Sequence, residues 1–513
     1  MRVHRNIILA ILSGLLLALS FPKFGNGMVA WIALIPLFFA LEGVACKGAG
    51  FRLGFLTGLV AYAGILYWVV YVVVHYGYLP FYVGIAALLL LCCYLSLYTG
   101  LFAAGVIHLE HRGVPKYLSA PLIWTLLEYL RSFFLTGFPW ESLAYSQYRF
   151  TSLIQISDLT GIYGLTFLIV MVNAVLFDLL RFRSGKRPVF KEAAVALAAV
   201  LLVVGYGHFR ISQISGKLKN AREFGVALVQ GNIDQSVKWN PQYQSRTIDI
   251  YRSLSMVPFL PEGTLIVWPE TAVPFYFQRP EPLQEAVVDV ARKTKSPMLF
   301  GSPSYRDEGG DISYLNSAYL VKPDGQVAGR YDKVHLVPYG EYVPLRKWFP
   351  FIGKLVVGVG DFGQGKGFYP LSGDSLRLGV LICYEGIFPE AARDYKNRGA
   401  ELLVNITNDA WFGKTSAPYQ HLSMTAFRAV ESRLYLVRAA NTGISAVINP
   451  LGEILSQTGI FERTVLAGQI KSIDEKSYYA AYGDVFVYFC VVLLLAAYIF
   501  TGKRRSNHVG RHP

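Results

Sequence analysis

The sequence predicts a two-part molecule: a multi-pass α-helical membrane domain with eight transmembrane helices, and an outward α/β domain inserted before the last of them. Three observations predict it. The chain of 513 residues is 53% hydrophobic and only 16% charged, with a mean hydropathy of +0.38, too apolar for an ordinary soluble protein of this length. Its apolar residues are gathered in long blocks over residues 1–207 and in one last block, whereas residues from about 208 to 480 read as globular. Lysine and arginine are concentrated in alternate loops, the pattern that fixes orientation in a bilayer.

A spanning helix needs roughly 20 mostly apolar residues. In chain order the candidates are Ile7–Phe21, Met28–Leu41, Phe55–Val74, Phe81–Ile107, Tyr117–Phe133, Tyr163–Leu180, Ala193–Gly207 and Val485–Thr501. The first resembles a signal peptide, with Arg2 and Arg5 ahead of an apolar core, but further spans follow directly, so it reads as an uncleaved anchor. Lys47 and Arg52 lie between the second and third spans, and Arg112 and Lys116 between the fourth and fifth. Arg181, Arg183, Lys186, Arg187 and Lys191 separate the sixth and seventh, and Lys503, Arg504 and Arg505 follow the last. The alternate loops hold little more than Lys23 and Arg149. Both termini are therefore expected in the cytoplasm and the segment between spans seven and eight outside. The formal net charge of +14 is largely this topological signal and requires no nucleic-acid partner. The expected organisation is a seven-helix membrane domain over 1–207, a linker over 208–223, a catalytic domain over 224–475, the eighth helix over 485–501 and a tail over 502–513.

Within the outward domain, short apolar runs alternate with helical stretches. Val226–Gln230, Thr264–Trp268, Pro297–Gly301, Ser317–Val321, Gln326–Arg330, Leu376–Ile382, Leu402–Ile406 and Ala446–Asn449 read as strands, and Leu283–Lys295, Pro389–Asn397 and Tyr419–Leu434 as helices. Lys322-Pro323-Asp324-Gly325 is a hairpin turn. Buried apolar strands between helices predict an α/β sandwich with its site at the strand ends. No G-x-G-x-x-G follows a strand, and no Walker A loop, H-E-x-x-H or Cys/His ligand cluster is present, so no cofactor and no metal is expected.

Cys383 lies between the apolar run Leu376–Ile382 and Tyr384-Glu385-Gly386, and is the one cysteine of the polar half. Cys46, Cys92, Cys93 and Cys490 fall in or beside hydrophobic segments. A lone thiol at a strand-to-helix turn has no disulfide partner in its own domain. It is either a small buried hydrophobe or a nucleophile, and a helix N-terminus would favour its thiolate. Glu270, after the strand ending at Trp268, can take a thiol proton. Lys333, in Tyr331-Asp332-Lys333-Val334-His335, can steady a thiolate or an oxyanion. Taken singly, such a glutamate is more often a helix-start residue and such a lysine a solvated surface charge; their joint occurrence in a fixed order selects the catalytic reading.

The order Glu270, Lys333, Cys383 resembles the nitrilase (carbon–nitrogen hydrolase) superfamily, whose glutamate–lysine–cysteine site sits on an αββα sandwich. Glu341, in Pro338-Tyr339-Gly340-Glu341-Tyr342-Val343-Pro344, is similar to a further glutamate of many members. Val229-Gln230-Gly231-Asn232-Ile233, Tyr331–Glu341, Asn408-Asp409-Ala410-Trp411-Phe412-Gly413, Gly137-Phe138-Pro139-Trp140 and Tyr145-Ser146-Gln147 resemble the apolipoprotein N-acyltransferases of the bacterial inner membrane over essentially the whole chain. Asp234 departs from that pattern, where proline is frequent.

The resemblance implies an integral enzyme of the inner membrane, catalytic domain in the periplasm, that takes an acyl chain from a phospholipid, typically phosphatidylethanolamine. It passes the chain to the α-amine of a diacylated apolipoprotein through a Cys383 thioester. Glu270 would be the base, Lys333 the oxyanion partner, and Glu341, Glu385 and Tyr384 the supporting residues. Trp239, Trp411, Phe412, Trp140 and Arg131 are candidates for substrate binding, and nothing demands more than a monomer. The basic and aromatic segment 345–355 suits a bilayer interface, and the glycines at 358, 360, 363, 365 and 367 could hinge a lid. Glu128 and Arg131, three residues apart near the end of the fifth span, would support the Gly137–Gln147 loop. A membrane-tethered amidase or nitrile hydrolase would use the same three residues, but seven preceding spans exceed what a tether needs. A transporter would need ionisable groups deep in several spans, and these blocks hold few.

Overall fold

The computed structural model describes residues 2–182, 190–258, 260–280, 282–343 and 362–509. They divide into two units, one comprising Met1–Val70, Phe81–Ile211 and Tyr482–Pro513, the other Tyr71–Pro80 and Ser212–Ala481.

The first unit is helical. Among the described residues four helices are long and apolar enough to cross a membrane: Lys47–Leu66, Phe81–Glu110, Ile162–Arg181 and Phe190–Lys219. The other expected spans are also helical in whole or part, over Arg2–Ala18, Ile35–Leu41, Lys116–Phe133 and Val485–Val509. The second expected span is interrupted: a 3-10 turn, Gly27–Trp31, precedes the short helix Ile35–Leu41, and the Leu34 N–H is taken up by the Asn173 side chain at 2.8 Å. Residues 208–219, expected as a linker, complete the helix Phe190–Lys219, because its last turns carry no proline or glycine cap strong enough to stop it before Lys219. Near the end of Lys116–Phe133, Glu128 and Arg131 are buried and bonded to the following loop. Glu128 accepts from the Leu143 N–H (2.8 Å), Trp124 Nε1 (3.0 Å) and Thr166 Oγ1 (2.9 Å). Arg131 donates to the Trp140 carbonyl (3.1 Å) and Ser142 Oγ (3.0 Å). These bonds satisfy most of the polar atoms of the two buried side chains, the Arg131 Nε excepted.

The second unit is built on twelve strands among the described residues: β1 (Arg222–Gln230), β2 (Leu265–Val267), β3 (Met298–Glu308), β4 (Asp311–Val321), β5 (Val327–Asp332), β6 (Leu371–Ser372), β7 (Arg377–Ile382), β8 (Leu402–Thr407), β9 (Tyr435–Ala440), β10 (Ala446–Ile448), β11 (Ile454–Gln457) and β12 (Thr464–Ser472). They form two six-stranded sheets, ordered β12-β1-β2-β3-β4-β5 and β11-β10-β9-β8-β7-β6. Both sheets feed one core, with Val226, Leu228, Val267 and Leu320 from the first and Leu378, Val380, Ile382 and Val404 from the second. Fully burying such a side chain stabilises by roughly 1.5–3 kcal/mol, so this shared face dominates the packing. Tyr395 of the helix Pro389–Asn397 and Ala426 and Ala429 of Ala417–Ser432 belong to the same core, while Tyr251, Val287 and Val290 pack with Trp268 and Phe300 in another.

Central strands β1, β2 and β3 run parallel, as do β7, β8 and β9. Parallel strands end together, so the residues that follow β2, β7 and β8 (Glu270, Cys383 and Asn408) gather on one edge. The segment Tyr71–Pro80, which precedes the helix Phe81–Glu110, belongs to this unit. Tyr76 donates its hydroxyl to the Ala410 carbonyl (2.9 Å) and sets its ring edge-on to Trp411, 5.0 Å between centroids.

Candidate active site

Cys383 follows β7 and opens a five-residue 3-10 turn, Cys383–Ile387. Its φ is +54°, a left-handed conformation that costs a non-glycine residue on the order of 1–3 kcal/mol. The turn is held by what surrounds it. Glu385, fully buried, accepts the Ile382 N–H on one oxygen (2.7 Å). On the other it accepts the N–H groups of Val334 (2.7 Å) and His335 (3.0 Å) and the Tyr331 hydroxyl (2.8 Å). One carboxylate therefore ties the Cys383 elbow to the chain around Lys333. Tyr384 packs edge-on to Phe388, 5.0 Å between centroids.

Lys333 follows β5 and is 1% exposed, contrary to the reading as a surface charge. Its Nζ lies 2.9 Å from Glu341 Oε2 and 3.8 Å from Glu270 Oε1. Burial alone would lower its basicity, but the two carboxylates override that and hold the ammonium above the ordinary lysine range. Its backbone is fixed as well: its N–H bonds the Asn316 carbonyl (2.8 Å) and its own carbonyl accepts the Gly365 N–H (2.8 Å). A Cβ at residue 365 would sit 1.9 Å from the Asp332 carbonyl oxygen, so glycine is required there.

Glu270 follows β2 after Trp268-Pro269. It accepts from Asn316 Nδ2 (2.8 Å) and from the Asn408 backbone N–H (2.9 Å). Asn316 Nδ2 also reaches Glu341 Oε1 (2.9 Å), and Glu341 accepts the Val337 N–H (2.8 Å). The backbone at 270 is packed so closely on β3 that a Cβ at Gly301 would approach Glu270 Cα to 2.7 Å. Lys238, 1% exposed, donates to the Glu270 carbonyl (3.1 Å), and burial pulls its ammonium down to about 8.

The expected lowering of the Cys383 thiol is not what this environment produces. Burial raises it, and the Glu270 charge raises it further, while Lys333 and a Thr407 hydrogen bond pull the other way without prevailing. The 3-10 turn offers no full helix N-terminus, and the thiol is 9% exposed. The balance leaves the Cys383 thiol above the ordinary cysteine range, beside Glu270 and Lys333.

Of the expected substrate contacts, Trp239 is 38% exposed and caps the short helix Gln235–Lys238, Trp411 is half-buried against Tyr76, and the Phe412 ring is edge-on to His421 at 6.5 Å. Arg131 and Trp140 lie in the helical unit. There Trp140 packs on Trp68, 5.0 Å between centroids, and Arg131 holds the loop described above. Most of the expected lid, residues 344–361, lies outside the described residues. Sequence reasoning passed over Asn316, Asn408 and Lys238 as site residues. Asparagine is disfavoured in strands, so Asn316 inside the apolar β4 was the available signal. Among the described residues no three His, Cys, Asp or Glu side chains are grouped to hold a metal ion.

Residues 225–479 match the carbon–nitrogen hydrolase family model, and residues 13–175 match that of the apolipoprotein N-acyltransferase N-terminal domain. The chain is 47% identical over 509 residues to an apolipoprotein N-acyltransferase of Geobacter metallireducens, covering 98% of this chain and 97% of that one. It is 32% identical over 515 residues to the enzyme of the same name from Methylococcus capsulatus, covering 98% of each. With that of Pasteurella multocida it shares 31% over 494 residues, 95% of this chain and 94% of the relative.

Proposed function

The chain belongs to the apolipoprotein N-acyltransferase family and is an acyltransferase of lipoprotein maturation; from that premise we infer that it works through a Cys383 acyl-thioester with a phospholipid, phosphatidylethanolamine foremost, as donor. The observation that carries this reading is the buried ammonium of Lys333 set between Glu270 and Glu341, with the charges of Glu270 and Lys333 both acting on the Cys383 thiol.

In the first half-reaction Cys383 Sγ adds to the ester carbonyl carbon while its proton passes to Glu270. The carbonyl electron pair moves to oxygen, where the Lys333 ammonium and the Tyr384 N–H stabilise it. Collapse expels the lysophospholipid alkoxide, which takes the proton from Glu270. In the second half the α-amine of the diacylglyceryl-cysteine attacks the thioester, Glu270 accepts its proton and returns it to Sγ, and Cys383 leaves as the thiol. Two moderate barriers replace one high one. Glu341 neutralises Lys333 and orients it, Glu385 positions the loop and elbow, and Tyr384 packs beneath them. Trp239, Trp411 and Phe412 line the acyl or head-group path. Arg131 and Trp140 serve from the membrane half by shaping the Gly137–Gln147 loop.

The finer architecture follows the same reading. Seven spans over 1–207, a catalytic domain over 224–475 in αββα layers and an eighth span over 485–501 place both termini in the cytoplasm. The catalytic unit then faces the periplasm, as a monomer in the inner membrane. Alternation of basic loops supports that orientation, and the shared two-sheet core supports the layering.

The test is intact mass after incubation with phosphatidylethanolamine, beside Cys383→Ala. A gain of one acyl chain, removed by hydroxylamine, absent from the variant and discharged by a diacylated lipopeptide, is the expected result. No adduct on folded protein would overturn the thioester reading and point to amide hydrolysis at the same three residues.

A further inference from the structure

Behind Cys383, on the side of the helix Ala417–Ser432, lies a buried polar cluster that the chemistry above does not use. It comprises His421, Asp409, Arg438 and Asn405, each 0–1% exposed. His421 Nε2 lies 3.1 Å from the Cys383 carbonyl oxygen. Its Nδ1 lies 3.0 Å from Arg438 Nη2 and 3.2 Å from Asp409 Oδ1. Arg438 Nη2 also donates to Asp409 Oδ2 (2.7 Å), and its Nη1 donates to Asn405 Oδ1. Asn405 Nδ2 donates in turn to the carbonyls of Leu381 (2.9 Å) and Cys383 (3.3 Å).

The Cys383 carbonyl only accepts, so Nε2 must carry a proton to face it. The opposite tautomer would set a lone pair against that oxygen. Nδ1 faces two opposed partners, the Arg438 donor and the Asp409 acceptor. Burial and the Arg438 charge oppose a second proton on the ring and Asp409 favours one; the first two prevail, and His421 is held below the ordinary histidine value. Asp409, kept well below the usual carboxylate range by Arg438 and His421 in spite of its burial, anchors the guanidinium.

In a trans peptide the carbonyl and the following N–H point in opposite directions. Two donors on the Cys383 oxygen thus fix the plane of the Cys383–Tyr384 peptide and the aim of the Tyr384 N–H. Backbone preference does not supply this, because Cys383 sits at φ +54°.

We propose that His421, its ring held in place by Arg438 and Asp409, is a positioning residue for acyl transfer: with Asn405 it grips the Cys383 carbonyl so that the Tyr384 N–H stays aimed at the oxyanion formed on the ester. This rests on the thioester reading above.

Alkylation separates the role from simple support of the fold. Iodoacetamide forms an Sγ–CH2 bond and releases iodide, with no oxyanion; acylation passes through one. His421→Leu should slow single-turnover thioester formation from phosphatidylethanolamine by about 10²-fold, the usual cost of one oxyanion donor, with the phospholipid KM and the rate of Cys383 alkylation unchanged. His421→Gln, whose amide nitrogen reaches the same carbonyl, should recover most of the loss. If His421→Leu does not fold, His421→Asn, polar but too short to reach Cys383, should show the same split. Parallel losses in both reactions, or acylation at the wild-type rate in the folded variant, would overturn the proposal. A wild-type enzyme that alkylates but never acylates would instead overturn the thioester reading, whatever His421 does.

Discussion

Glu385 holds Lys333 in place through the backbone: one of its oxygens accepts the N–H groups of Val334 (2.7 Å) and His335 (3.0 Å), the two residues after Lys333. Its other oxygen accepts the Ile382 N–H, one residue before Cys383 (2.7 Å). The spacing between ammonium and thiol is thus set by one carboxylate that need not take part in proton transfer.

Glu385→Ala should leave the buried Ile382 N–H, the part-buried N–H groups of Val334 and His335 and the Tyr331 hydroxyl without their acceptor. The expected loss is about 3 kcal/mol of stability and a fall in transfer larger than in phospholipid binding. Tyr331→Phe, which removes one donor and keeps the carboxylate, should cost about 1 kcal/mol. Thermal unfolding in detergent reads both, and equal effects of the two substitutions would contradict this arrangement.

The raised thiol of Cys383 gives a pH signature. Its alkylation rate should climb about tenfold per pH unit through the ordinary thiol range without a plateau, since the thiolate fraction keeps growing there. Glu270→Gln removes the proposed base, so acyl transfer should drop by roughly 10²–10⁴, the span of general-base catalysis. Lys333→Met should slow alkylation. A plateau near neutrality, or faster alkylation in Lys333→Met, would show that the thiol is not held up as described.

Lys238 has its folded-state value lowered to about 8 from 10.5. Between those values the unfolded chain binds more protons than the folded one, so stability should rise with pH across that window. A displacement of that size corresponds to roughly 3 kcal/mol. Lys238→Met should flatten the rise and stabilise at pH 7, less the hydrogen bond to the Glu270 carbonyl, about 1 kcal/mol. Unfolding midpoints from pH 7 to pH 10 test this; parallel curves for the two proteins would rule it out.

Arg131→Ala should strip the buried Glu128 of its neighbouring charge and free the Trp140 and Ser142 contacts, costing about 3–5 kcal/mol. Phospholipid turnover should fall with it. Unchanged stability and turnover would remove the support role from this pair.

Strands with strong apolar runs were legible: β1, β2, β7 and β8 lie where the sequence predicts them, because β-branched and leucine residues bounded by turn residues leave little choice. β9 was missed: Tyr435-Leu436-Val437-Arg438 follows a helix with only Arg433 to break it, at φ +54°. β12 was missed because its residues are mostly half-buried, with Ile470 the one buried residue, so no apolar run marks it. The proposed catalytic residues Glu270, Lys333 and Cys383 stand out in the sequence by their order and settings. Asn316, Lys238 and the His421 cluster were not, because their roles depend on hydrogen bonds between strands far apart in the chain.

The bond from Tyr76 to Ala410 spans 334 residues. At translation rates of about 5–20 residues per second, the ribosome delivers that tyrosine roughly 15–70 s before its partner exists. Until then its ring and hydroxyl have no Trp411 and no Ala410 to meet, and the Asn408–Gly413 turn, when it emerges, must find a segment already made. A recombinant fragment beginning at Ser212 would lack that segment altogether, so adding the Tyr71–Pro80 peptide, rather than refining the domain boundary, is what such a fragment needs.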